Sequence, residues 1–193
     1  MTPEILERET VYQGYMRVQR LRVRLDDGTE VWREVERHGD AVAVLPYDPV
    51  RRCALTVRLF RLPAFELLGE TTLEEACAGM MDPTDADEAS AVRREALEEL
   101  GLRLGNLERI GRCWSSPGVS AERVSLFVAP YAAADRVSQG GGAAGEHEGI
   151  TVVESLLTTL ASAVDAGRIV DLKLLTLVLA LRARRGGLFE APP

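Results

Sequence analysis

Cysteine is scarce in this chain of 193 residues: there are three, Cys53, Cys77 and Cys113, an odd number at wide spacing. They form no C-x-x-C pair and have no nearby histidine ligands, so neither a disulfide framework nor a zinc site is indicated. The reading that remains is of small apolar side chains in a reducing compartment. Positive charge is also short. Lys and Arg total 23 against 30 Asp and Glu, a net charge of −7 with a pI near 5.0. That is the wrong sign for a protein that holds nucleic acid through its phosphates. A small anionic ligand needs only a local cationic pocket, so that class stays open. Long hydrophobic runs are missing too: the richest, Leu172 to Leu181, is too short for a bilayer and carries Lys173. The opening residues MTPEILERET are acidic and polar, unlike a signal peptide. A cytoplasmic protein with neither nucleic-acid nor membrane partners is expected. With 46% apolar and 27% charged residues, the length suits one domain, or one with a small appendage.

Residues 16–36 alternate, Leu21, Val23 and Leu25 against Arg20, Arg22 and Arg24, with a hairpin turn at Asp26-Asp27-Gly28. Further strands are expected at 41–47, 54–60, 73–78, 108–114, 123–131 and 150–154. Helices are expected over about 86–100, stopping at Gly101, over about 155–166, and from an Asp171 cap into the basic tail 182–185. The loop SQGGGAAGEHEG (138–149) separates two of these strands. The mixture is α/β or α+β, divided as an N-terminal antiparallel β region over 1–40 and a main domain over 41–193.

The helix RREALEELGL (93–102) carries the chemistry. Advancing about 100° per residue places Glu95, Glu98 and Glu99 on one narrow arc, with Val92, Ala96 and Leu100 on the adjoining one. The helix is thus expected to bury one side and bare a carboxylate cluster on the other. Like charges at this spacing repel, and a hard divalent cation such as Mg²⁺ or Mn²⁺ relieves them. Arg94 stands four residues before Glu98 and can hold it. Taken alone, the cluster fits a solvated acidic face better, as most helices with paired glutamates do.

The flanking residues favour the first reading. Gly79, then Arg94, Glu95, Ala96, Glu98, Glu99, Gly101 and Leu102 resemble the Nudix box, and the closing half matches without a gap. The interval from Gly79 to Arg94 is one residue longer than the pattern, with Asp85, Asp87 or Glu88 standing for its early glutamate. VRLFR (57–61), EACAGMMD (75–82), Ser116-Pro117-Gly118 with Ser120 and Glu122, GGGAAGEHEGI (140–150) and GRIVDLKLLTLVL (167–179) are similar to segments of the ADP-ribose pyrophosphatase and GDP-mannose hydrolase branch. The resemblance implies a Nudix α/β/α sandwich with a mixed sheet and an N-terminal β appendage that pairs two copies as a homodimer. It implies Mg²⁺-dependent hydrolysis of a nucleotide sugar, with Mn²⁺ as a possible substitute. It implies metal ligands at Glu95, Glu98 and Glu99, the Ala78 carbonyl and Glu148, with Glu146, Glu148 and Glu98 as catalytic carboxylates. Arg61, Arg58, Glu122 and Pro117 are implied as substrate contacts. A non-catalytic sensor of the same fold, binding a nucleotide sugar, is the alternative. Among other residues, Trp32 could stack on a base or pack between layers. His147 and His38 suit exposed or structural roles.

Overall fold

Alternation with little burial, Leu21 being the one buried position, marks the first three strands. β1 (Glu4–Gln13), β2 (Arg17–Arg24) and β3 (Glu30–Arg37) form an antiparallel sheet in that order. The computed structural model describes residues 2–143, 145 and 149–190, and Glu146, His147 and Glu148, named above, lie outside the described residues. The chain divides into two units, Met1–Ala41 with Arg112–Val124, and Val42–Gly111 with Ser125–Pro193.

In the first unit the expected hairpin is present. Gly28 takes a φ of +86° and donates to the Leu25 carbonyl at 3.0 Å, while Thr29 N–H donates to Asp27 Oδ1 at 2.8 Å. β1 is an addition to the expected strand pair. Nearly every one of its residues is exposed, so it has no core for alternation to follow. Ladder hydrogen bonds hold it, with ion pairs from Arg22 to Glu7 (3.2 Å) and from Arg24 to Glu4 (3.1 Å), both arginines also reaching Glu30. Such exposed pairs, screened by solvent, add little to stability. The Arg20 guanidinium lies 4.4 Å from the Trp32 ring centroid, a cation–π contact within the same sheet.

The second unit is built on β4 (Ala41–Asp48), buried at every position, as a central strand should be. β5 (Cys53–Leu59) pairs antiparallel with it. A seven-residue helix that the sequence did not announce follows, α1 (Leu62–Leu68), with no buried residue. The single strand expected at 73–78 is two: β6 (Leu73–Glu75) pairs with β5, and β7 (Cys77–Met80) pairs with β4. α2 (Glu88–Leu100) comes next, then β8 (Glu108–Trp114), β9 (Arg123–Pro130), β10 (Thr151–Leu156), α3 (Leu157–Asp165) and α4 (Leu172–Arg184). The main sheet order is β10-β5-β4-β9-β8. Val44, Leu55, Val57, Val92, Ala96 and Leu100 join one apolar core between this sheet and α2, which fixes the helix that carries the glutamates. α3 and α4 bury Leu157, Leu160, Leu174, Leu177 and Leu181. No helix among the described residues is long and apolar enough to cross a membrane.

Candidate active site

α2 is framed at both ends. Asp87 is its N-cap: Ser90 N–H donates to Asp87 Oδ1 at 2.7 Å and Asp87 N–H donates to Ser90 Oγ at 2.9 Å, a reciprocal capping box worth about 1 kcal/mol. Gly101 closes the helix at φ +65°, its N–H donating to the Leu97 carbonyl at 3.1 Å. The three acids of the lengthened loop have separate partners. Asp85 binds Arg94, with Nη2 to Oδ2 at 2.9 Å, Asp87 caps, and Glu88 meets Arg109 at 3.1 Å.

The glutamates are not bared as the helical arc suggested. Glu99 is only 5% exposed, and its Oε2 accepts the Ala78 N–H at 3.1 Å. Glu95 lies so close to Gly79 that a Cβ there would fall 1.9 Å from its Oε1. The reason is that β7 packs directly on α2, closing over the two glutamates that face it, while Glu98 keeps about a third of its side chain in solvent. Glycine at position 79 is what admits the Glu95 carboxyl. Arg94 gathers the acidic side: Nη1 donates to Glu95 Oε1 at 2.7 Å and Glu98 Oε2 at 3.1 Å, and Nη2 donates to the Met80 carbonyl at 3.0 Å. The expected hold of Arg94 on Glu98 is present. Burial pushes the Cys77 thiol well up, and the charges of Glu99, Glu95 and Glu98 push it the same way.

Glu95, Glu98 and Glu99 offer oxygen donors only, the chemistry of Mg²⁺ or Mn²⁺ rather than of a soft metal. The seating of Glu95 and Glu99 on the Ala78–Gly79 backbone fits that use. Among the described residues, however, no three His, Cys, Asp or Glu side chains converge closely enough to hold an ion. Glu146 and Glu148, the other expected donors, lie outside the described residues.

The two arginines expected at the substrate pair with the glutamates of β6. Arg58, on β5, donates to Glu74 Oε2 at 3.0 Å. Arg61 lies beyond the end of β5, at the N-cap of α1, and forms a two-pronged pair with Glu75: Nε to Oε1 at 2.7 Å and Nη2 to Oε2 at 3.0 Å. Glu75 is 4% exposed and was not singled out in the sequence. Burial raises its carboxyl, but the hydrogen bond from Arg61 and the charges of Lys173 and Arg61 outweigh that and hold it below the ordinary value.

Pro117 and Glu122 belong to the first unit. Pro117 is exposed in a turn where Ser120 N–H donates to the Ser116 carbonyl at 2.8 Å. Glu122 is not alone. His38 lies between two carboxylates, with Nδ1 2.5 Å from Glu36 Oε1 and Nε2 3.2 Å from Glu122 Oε1, and Ser120 Oγ donates to Glu36 Oε2 at 2.7 Å. Burial opposes charge on His38, but the hydrogen bonds and charges of Glu36 and Glu122 prevail and raise its pKa. Protonated His38 therefore favours the folded state. Its contribution is complete below the ordinary histidine value of 6.5 and is lost as pH rises through the raised value. Glu36 is lowered, so its share is lost as pH falls below the ordinary 4.5. His38→Gln is expected to lower stability most between those two values, and the gap to wild type should close in alkaline buffer. Urea unfolding across a pH series checks this; a gap that stays constant with pH would contradict it.

The chain matches the family model described as "NUDIX domain" over residues 37–169. It is 35% identical to GDP-mannose pyrophosphatase of Pectobacterium atrosepticum, over 76% of this chain and 74% of that protein. It is 36% identical to ADP-ribose pyrophosphatase of Escherichia coli, over 77% of this chain and 73% of that protein. A crystal structure described as an ADP compounds hydrolase superposes with a TM-score of 0.78 at 18% identity, covering 97% of this chain and 96% of that one, a likeness of fold.

Proposed function

This chain belongs to the NUDIX family, and on that premise we propose that the α2 site is the centre of a hydrolase acting on nucleoside diphosphate sugars. The diphosphate bond of a nucleotide sugar of the GDP-mannose or ADP-ribose type is cleaved, giving a nucleoside monophosphate and a sugar phosphate. The observation that carries the reading is the seating of Glu95 and Glu99 on the Ala78–Gly79 backbone, in a chain about one third identical to both kinds of pyrophosphatase. A non-catalytic sensor finds no support in the relatives or in the site.

Glu95, Glu98 and Glu99, with the Ala78 carbonyl and Glu148, would hold a divalent cation, Mg²⁺ with Mn²⁺ as substitute. Such a cation, when bound, supplies Lewis acidity toward the diphosphate oxygens and makes water acidic enough to attack at neutral pH. Arg94 keeps Glu95 and Glu98 from repelling one another and fixes their rotamers. Arg61 and Arg58 present guanidinium groups to the diphosphate, the geometry phosphate oxygens favour. Glu146 or Glu148 takes the proton of the attacking water.

The test is phosphate release from GDP-mannose, ADP-ribose and other nucleotide sugars with Mg²⁺ and a coupled phosphatase. Turnover of at least one nucleotide sugar, abolished by a chelator, is expected. Silence across the panel with both Mg²⁺ and Mn²⁺ would overturn the reading.

A further inference from the structure

Lys173 breaks a local rule. It is the second residue of α4, where the helix dipole disfavours a cation, and only a quarter of its side chain is exposed. Both features cost stability, and residues that violate local preferences in this way gather at functional sites. Its Nζ donates to Glu75 Oε2 at 3.1 Å and to Asp171 Oδ1 at 2.8 Å. Burial pulls the Lys173 pKa down, yet the charges of Asp171 and Glu75 overcome it and hold the ammonium above the ordinary lysine value.

Asp171 does three things at once. It caps α4 through the Leu174 N–H at 3.0 Å, holds Lys173, and accepts the Ala76 N–H at 3.1 Å through Oδ2. The first turn of α4 is thereby fastened to the junction of β6 and β7, one residue past Glu75 and two before Ala78.

We propose that Lys173, oriented by Asp171, is a positioning residue for substrate binding that acts on Arg61 through Glu75. The inference rests on the hydrolase reading above, in which Arg61 meets the diphosphate. Glu75 Oε2 is shared between Arg61 Nη2 and Lys173 Nζ. While Lys173 takes part of that carboxylate's charge, the Arg61 guanidinium is held in place by the pair without being fully neutralised by it. Without Lys173 the buried carboxylate has Arg61 as its counter-ion at this junction. It then draws the guanidinium's charge inward and away from an anionic ligand. The effect falls on binding rather than on the chemical step, because the scissile bond and the α2 glutamates are untouched.

Three variants, each measured for KM, kcat and melting temperature on the nucleotide sugar that wild type turns over, decide the matter. Lys173→Met is expected to raise KM about tenfold with kcat within about twofold, the pattern of lost uniform binding. Lys173→Arg, which restores a cation, should recover most of the loss. In an Arg61→Gln background, Lys173→Met should change KM by less than about twofold, since the group it acts through is gone. Should Lys173→Met fail to fold, Lys173→Gln carries the same comparison. A melting temperature that drops while KM holds, or a KM penalty that persists undiminished in the Arg61→Gln background, overturns the positioning role and leaves the hydrolase reading standing. An unchanged KM in Arg61→Gln alone removes Arg61 from the substrate and the inference with it. Failure of wild-type turnover on the whole panel is the separate sign that the hydrolase reading is wrong.

Discussion

Glu99→Gln is expected to lower turnover by at least about a hundredfold while the protein stays folded. Glutamine has nearly the same shape, and its carbonyl oxygen can still accept the Ala78 N–H that Glu99 Oε2 accepts now at 3.1 Å. What it loses is the negative charge offered to a cation at a site only 5% exposed. The same exchange removes one of three mutually repelling carboxylates, so the metal-free variant should melt no lower than wild type, a local case of stability traded for activity. Steady-state kinetics with a Mg²⁺ titration, alongside thermal unfolding with and without the ion, gives both numbers. A variant that retains most of its rate would show that Glu99 is not in the metal site. Glu98→Gln is the natural comparison, because Glu98 is more exposed and leans on Arg94, and a smaller loss is expected there.

Gly140→Ala is expected to cost about 2–4 kcal/mol of stability, and activity with it. Gly140 has a φ of +71°, and a Cβ there would fall 2.1 Å from the Glu99 carbonyl oxygen, a backbone atom that cannot step aside without moving the helix end. The next two residues cap that end: Gly141 N–H donates to the Glu99 carbonyl at 2.8 Å and Gly142 N–H to the Glu98 carbonyl at 3.1 Å. These are among the last carbonyls of α2, which the helix itself leaves unsatisfied. The glycine loop thus grips the backbone of the two residues whose side chains are proposed to bind metal. Gly167→Ala is the control. Its φ is +65°, but nothing lies within 4 Å of its would-be Cβ, so only conformational strain of about 1–2 kcal/mol is expected. Equal losses in the two variants, measured by urea unfolding, would mean that the close approach at Gly140 relaxes freely.

The box, its helix and the strands with a buried face were legible because their signals are local: periodicity, a cap, a terminating glycine. What was not legible has a physical reason in each instance. β1 is exposed along nearly its whole length, so no apolar period marks it. α1 has Leu62, Phe65, Leu67 and Leu68 but buries none of them, and without a buried face the stretch gave no helical pattern. The break between β6 and β7 comes at Ala76, whose N–H leaves the ladder for Asp171, a partner 95 positions away. A helical wheel places Glu95, Glu98 and Glu99 on one arc but does not say what packs against it, hence the unexpected burial of Glu99. Lys173 interrupts an apolar run two residues after the capping Asp171, and that interruption was the one available signal of its pairing with Glu75.

The two halves of the site also differ in how far along the chain their parts lie. Glu99 meets Ala78 across 21 positions, whereas Lys173 meets Glu75 across 98. Closing the longer loop costs about 1.4 kcal/mol more in chain entropy. The shorter one, moreover, is a strand and helix that nucleate together, as local contacts tend to do early in folding. A refolding or newly made chain therefore forms the contact of β7 with α2 first, and Lys173 reaches the Arg61–Glu75 pair only when α4 docks. For that interval Glu75 has Arg61 beside it but not yet the ammonium of Lys173.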